Sequence, residues 1–242
     1  MIKIFLFLFS SYSFSASFIG YDLQGRFQKD KNFAYNRIMS DFIQTLNGSS
    51  TIKYMPILRG SRLFFSEKQH CILPASIEAF KKLRGDIPNF DVKSYVQGDR
   101  IEYVVSAIFS RNGEEVVTDF SQLNNKRVSV WYGTPAKSAI KKKTYGVNFI
   151  EAKSGLQALN LLKSKRVDYM VGFIPDSPLL ANKHNIEKLS YSEASFISRY
   201  EVSLICHNTP QGRKLIQKFN IFIKSLKESG KLKQYLGEFS LI

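Results

Sequence analysis

Residues 126–137 read Lys-Arg-Val-Ser-Val-Trp-Tyr-Gly-Thr-Pro-Ala-Lys, and the order of residue types in this stretch decides how the rest of the chain is read. Val128, Val130 and, less cleanly, Trp131 are β-formers set between charged or small residues. Gly133-Thr134-Pro135 then stops the strand ahead of a basic run from Lys137 to Lys143. The pattern predicts a strand, a tight turn and the start of a helix. Pro135 suits a first helical turn because it has no N–H to leave unpaired there, and Thr134 before it can cap the exposed donors. Free N–H groups at such a turn can hold a small polar ligand in a neighbouring cleft, or the turn can be a plain strand-to-helix connection.

Outward from this unit, strands and helices alternate on both sides. Upstream, Ser17–Tyr21 reads as a strand, Phe33–Leu46 as a helix with Phe33, Ile38, Phe42, Ile43 and Leu46 at helical spacing, and Ile52–Met55 as a second strand. A turn at Pro56 leads into a short helix, and Cys71–Ser76 is a third strand. This β-α-β-α-β order is that of a parallel sheet with helices on its faces. Ile77–Asp99 is less regular, and Ile101–Phe109 is a strand long enough to cross between two domains. From Phe120 the alternation restarts, with strands at Val128, Val147–Ile150 and Val167–Phe173 and a helix at Leu156–Leu162. Pro175–His184 reads as helical, Lys188–Phe196 as extended and Tyr200–Cys206 as a strand. From Pro210 a long helix carries Leu215, Phe219, Phe222 and Leu226 on one stripe, which is core packing.

The chain has 242 residues, 44% of them hydrophobic, enough for one large core or two small ones. Lys3, the apolar run Ile4–Phe9 and the small residues around Ser15-Ala16-Ser17 predict a secretory leader over residues 1–17, cleaved after Ser15 or Ser17. The apolar run is too short for a membrane anchor, which needs about 20 residues. The two cysteines, Cys71 and Cys206, fit one disulfide or two buried thiols, and spacing does not choose between them. The formal charge of +15 is spread over knots such as Lys141-Lys142-Lys143 that do not interleave with aromatic residues, so nucleic acid is not the expected partner. A basic surface that attracts anionic solutes or envelope polymers is the milder reading.

Several stretches together carry a family likeness. They are Asp119-Phe120-Ser121-Gln122-Leu123-Asn124-Asn125-Lys126-Arg127-Val128; Tyr132-Gly133-Thr134; Ala158–Leu162 with Arg166-Val167-Asp168-Tyr169; and Phe219–Leu236 with its Gly-Lys end. In this order they resemble the bacterial extracellular solute-binding proteins of family 3, periplasmic receptors of the polar amino-acid type. The resemblance implies an α/β, two-lobed type II fold with hinge strands near Glu102–Ser106 and Arg199–Leu204. Lobe 1 would comprise residues 18–103 and 200–242, lobe 2 residues 104–199, with the ligand held between them. It also implies a monomeric protein of the periplasm, without cofactor or metal, that hands a small polar solute to an ABC-type permease in the inner membrane.

Carried over position by position, the resemblance places Tyr132, Gly133 and Thr134 in the ligand-facing turn of lobe 2. In lobe 1 it places Tyr21 and Asp22 after the first strand, Arg59 in a P-x-x-R element, and Ser76 after the third strand. Two departures stand out. No arginine follows the third strand until Arg84, where the family clamps an α-carboxylate. Gly172-Phe173-Ile174 occupies the place of the aspartate that holds the α-ammonium, with Asp176 three residues late. Arg59 and Asp176 are the candidate substitutes, and Phe173 joins the expected site. No metalloprotease, nucleophile-elbow or Cys-His pattern is present, so no enzyme is expected. The alternative is a sensory or scaffold domain of the envelope that kept the fold.

Overall fold

The computed structural model describes residues 16–46, 48–67, 70–82, 90–132, 134 and 136–242. The chain opens with β1 (Ala16–Tyr21), α1 (Ala34–Gln44), β2 (Ser50–Met55), α2 (Ile57–Ser66) and β3 (His70–Ala75). β2 and β3 flank β1 in parallel register, as right-handed β-α-β units require. α3 (Ile77–Lys82) and β4 (Tyr95–Gln97) follow, then β5 (Glu102–Phe109). The restarted alternation gives β6 (Arg127–Trp131), α4 (Ala136–Lys141), β7 (Asn148–Ala152), α5 (Gly155–Lys163), β8 (Tyr169–Ile174) and α6 (Asp176–Lys183). The chain ends with β9 (Ser198–His207), α7 (Pro210–Glu228) and α8 (Lys231–Leu236).

The strand order is β2-β1-β3-β9-β5-β8-β6-β7, with β4 also on β9. The two halves meet on β5 and β9, which pair antiparallel from Glu102 opposite Val202 to Ser106 opposite Ser198. Each strand then continues into one half: β9 pairs with β3 through Cys71 opposite Cys206, and β5 pairs with β8 from Val105 opposite Ile174 to Phe109 opposite Met170. The fold is therefore two α/β lobes joined by two hinge strands.

The apolar side chains sort the same way. One group gathers Phe18, Ile38, Phe42 and Ile72 with Phe219, Ile223 and Leu232 from the chain's far end. Two adjoining groups draw on the middle, one around Phe109, Leu159 and Met170, the other around Val128, Val130 and Ile140. The stripe on α7 faces the first group, with Leu215, Phe219 and Leu226 buried and Phe222 half-buried. Caps follow local chemistry. Thr209 accepts from Gly212 N–H with Pro210 in the first turn of α7, and Ser154 accepts from Gln157 N–H at the start of α5. Asp119 and Gln122 form a reciprocal capping box at the entry to β6.

Two expectations change. Lys188–Phe196 is not a strand: it makes a single bridge, Ser190 to Ser110, and a 3₁₀ turn at Glu193–Ser195, where Ser192 accepts from Ala194 N–H. That hydroxyl offers the backbone a local partner in place of a ladder. The irregular span after Ser76 holds both α3 and β4, a three-residue strand too short for its alternation to be read from sequence. Ala16 and Ser17 pair with Ser50 and Thr51 in β1, and the rest of the leader expected over residues 1–17 lies outside the described residues.

The cysteine question is resolved by register. Cys71 and Cys206 are directly opposed, 4.2 Å apart at Cα, and form a disulfide that closes a 135-residue separation. Such a link mainly restricts the unfolded chain. Replacing both cysteines by serine is expected to cost about 2–4 kcal/mol in urea denaturation without changing the far-UV circular dichroism. An unchanged midpoint would show that strand pairing alone holds the junction.

Candidate functional site

The turn after β1 is the first piece of the site. Leu23 and Phe27 exchange backbone hydrogen bonds at 2.9 Å, and Arg26 N–H donates to Leu23 C=O. Gly25 has φ of 81°, a left-handed conformation that favours glycine. This tight turn drives the Arg26 side chain inward until it is 1% exposed. There it donates to Glu102 Oε1 at the base of β5, and its Nε lies 3.6 Å from Asp176 Oδ1 at the start of α6. The Tyr35 hydroxyl also donates to Glu102, and the guanidinium lies 4.9 Å from the Tyr35 ring. Arg26 thus ties the first lobe to a hinge strand and to the second lobe.

A buried guanidinium needs such partners, because an unpaired charge in an apolar interior is strongly disfavoured. Burial pushes the Asp176 carboxyl above the usual range, with Arg26 pulling it back. Burial also outweighs Arg26 and Tyr35 in raising the Glu102 carboxyl. The Tyr21 hydroxyl is pushed well above the tyrosine range by burial, against its 2.6 Å hydrogen bond with Ser61.

Between the lobes lie three adjoining cavities. The outer one, about 280 Å³, has Asp22, Leu23, Ile57 and Leu58 on one side and Tyr132, Lys153, Phe173, Asp176 and Leu180 on the other. The inner one, about 140 Å³, is walled by Tyr21, Tyr35, Ser76, Phe80, Trp131, Thr134, Phe173 and Tyr200. The third, about 30 Å³, lies against the hinge strands and is lined by Lys82, Ser106, Thr134, Phe173, Ser198 and Tyr200. Phe173 lines all three, and Asp176 lines the outer two. The Phe173 N–H donates to Ser177 Oγ at 3.1 Å, which fixes the end of β8 to α6. That hydroxyl would lie 2.1 Å from a Cβ at position 172, so Gly172 is required for the approach. Trp131 from β6 meets Phe173 edge-on at 5.8 Å and packs against the first lobe's core, dividing the inner cavity from the outer.

Most of the residues expected from sequence line this cleft. Tyr21, Ser76, Thr134, Phe173 and Asp176 meet at the inner cavity, and Asp22 and the exposed Tyr132 at the outer one. Gly133 lies outside the described residues. Ser76 is 3% exposed, and its hydroxyl accepts from Ala79 N–H. Both donors of Thr134 turn back on their own strand: the hydroxyl gives 2.8 Å and the N–H 3.3 Å to Trp131 C=O. Arg59 is exposed on α2 and lines none of the three cavities, as is Arg62 on the same helix.

Sequence reasoning missed Arg26, Tyr35 and the cleft face of Trp131. One signal was available: Glu102 is a lone acid at the head of the apolar run Glu102–Phe109, and a buried acid needs a cation. Nothing local to Arg26 marks it as that cation.

No family model and no curated protein sequence matches the chain. Solved structures do match its fold. A substrate-binding protein of an amino acid ABC transporter aligns with a TM-score of 0.70 at 16% identity, over 93% of this chain and 98% of that one. The GluR0 ligand-binding core from Nostoc punctiforme, in complex with L-glutamate, aligns at 0.73 and 15% identity over 93% and 98%. A histidine kinase sensor domain with similarity to periplasmic binding proteins aligns at 0.72 and 12% identity over 95% and 98%. At these identities the likeness shows the two-lobed fold.

The raised Asp176 carboxyl has a pH signature. The folded state holds its proton more firmly than the unfolded chain, so this group's contribution falls as pH rises from the ordinary aspartate range through the raised value. Asp176→Asn is expected to flatten that part of the stability profile, measured by urea denaturation at a series of pH values. Superimposable slopes for the two proteins would refute the assignment.

Proposed function

We propose that the chain is an exported, monomeric solute-binding protein of the family 3 kind, which closes two lobes, residues 18–103 with 200–242 and residues 104–199, over a small polar solute. It passes that solute to an ABC-type permease of the inner membrane. The carrying observation is the cleft itself: cavities lined from both lobes and from the hinge strands, all meeting at Phe173. A solute there touches both lobes only when they are closed, and such differential contact is what shifts an open–closed equilibrium. The amino acid transporter and glutamate-receptor neighbours support the same reading, with an amino acid or a related compound as solute.

Export is supported by the Cys71–Cys206 disulfide, which suits an oxidising compartment. No described helix is long and apolar enough to cross a membrane. Leader cleavage after Ser15 leaves β1 whole. The similar structures named above are binding proteins, a ligand-binding core and a sensor domain, which supports a non-catalytic role. The second reading is a sensory domain that signals by protein contact. The cross-lobe contact between Arg26 and Asp176, a protein–protein ion pair that occupies the one acid of the inner cavity among the described residues, favours it, as does the likeness to a kinase sensor domain.

A thermal-shift screen against amino acids, small carboxylates, polyamines and cell-wall fragments separates the two readings. A solute at about a hundred times its Kd adds about 2.7 kcal/mol to folded-state stability and raises the melting temperature. The shift is expected to be lost in Phe173→Ala and kept in Arg59→Ala. Silence across the panel from a well-folded sample would transfer the chain to the sensory reading.

A further inference from the structure

The polar groups of the cleft are unevenly placed. At the hinge end, Ser106 on β5 is 2% exposed and Tyr200 on β9 is 6% exposed. Neither hydroxyl has a hydrogen-bond partner among the described residues, and both residues line the small third cavity. Lys82 at the end of α3 lines it too, with Nζ 4.8 Å from the centre of the Tyr200 ring. Two buried hydroxyl donors and the ammonium of the exposed Lys82 thus line one small cavity, a donor set that suits an anion such as a carboxylate.

The adjoining inner cavity is different. Its walls are mainly aromatic and aliphatic, including Phe80, Val104, Trp131 and Val202, and its volume is about 140 Å³. Its one carboxylate among the described lining residues is Asp176, and Arg26 already faces that group at 3.6 Å. A ligand ammonium seated on Asp176 would lie against a guanidinium in a low-dielectric interior, where like charges repel strongly. The outer cavity's other acid, Asp22, is exposed and accepts from Gln28.

We propose, on the reading of the cleft as a solute site, that its ligand is a compact monocarboxylate with an aromatic or branched aliphatic body and no free ammonium group. The carboxylate sits between Lys82, Ser106 and Tyr200, and the apolar body fills the cavity against Trp131 and Phe173. A ligand so placed spans the first lobe, both hinge strands and the second lobe.

Matched pairs of probes test this in the mature protein. Titration calorimetry would compare 3-phenylpropionate with L-phenylalanine and 4-methylpentanoate with L-leucine, in the wild type, in Lys82→Met, in Ser106→Ala, and in Arg59→Met as a surface control. At least one deaminated acid is expected to bind about tenfold or more tightly than its amino acid. Lys82→Met should weaken it by about tenfold, the range of one charge-assisted hydrogen bond, while Arg59→Met leaves it unchanged. An amino acid binding as well as its deaminated partner overturns the assignment and leaves the cleft a solute site. The same holds if Lys82→Met binds like the wild type, or if only another class in the broader panel binds. If no solute of any class moves the melting temperature, the solute-site reading fails and the assignment fails with it.

Discussion

The antiparallel pairing of β5 with β9 is the constraint on which everything else rests. Over Glu102–Ser106 and Ser198–Val202 the two strands belong to neither lobe alone. Beyond that overlap, β9 runs fully buried from Val202 to His207 into the sheet of the first lobe, and β5 runs into the sheet of the second. Because β9 returns to the first lobe, α7 and α8 can pack against α1 and complete a core begun almost two hundred residues earlier. The disulfide sits at the far end of that return, opposite the hinge. Strand pairing therefore holds each lobe internally and joins the two through the short overlap.

Arg26 acts on that overlap electrostatically. Its contact with Glu102 lies at the base of the hinge, while its contact with Asp176 crosses to the second lobe. Parting the lobes would separate Arg26 from Asp176 while leaving Arg26 on Glu102. An opened cleft lets water reach the freed carboxylate, which relieves the burial that raises its pKa. The cost of opening is therefore smaller than that of breaking an ion pair inside a core. Leu180 lies at the same place and lines the outer cavity together with Leu23 of the first lobe. These few side chains are the contacts that hold the second lobe against the first beside the hinge.

Most of this architecture was legible in residue order because it is built from local patterns. The restart of β-α alternation at Phe120, the Gly133-Thr134-Pro135 stop and the α7 stripe each express a period or a punctuation that neighbouring residues carry. The lining of the cleft was legible where it lies at strand ends, as Tyr21, Ser76, Thr134 and Phe173 show. It was not legible where it depends on distance in sequence. Arg26 and Glu102 are separated by 76 residues, and the partner of a buried acid cannot be read from its own surroundings. Arg59 shows the converse: a P-x-x-R spacing fits a cleft-facing cation, yet that turn of α2 points Arg59 to solvent and Ser61 inward. Helix phase is settled by packing, and one residue is enough to reverse the face.

The net charge of +15 invites a reading of the cleft as basic, and its distribution argues otherwise. The knots at Lys141–Lys143 and Lys163–Arg166 are exposed on the second lobe and line none of the three interlobe cavities. The charged residues lining those cavities are Lys82, Lys153, Asp22 and Asp176, a balanced set among the described residues. Surface charge of one sign draws anionic solutes toward the protein over about a Debye length and is screened by salt. Discrimination within the cleft is a short-range matter of which donors are free. The two buried hydroxyls at the hinge, with one ammonium beside them, are donors without a partner among the described residues, while Asp176, the acid lining the inner cavity, already faces Arg26. The charge that bears on the proposed carboxylate pocket is therefore the single ammonium of Lys82, and the excess of lysine elsewhere lies outside the cleft.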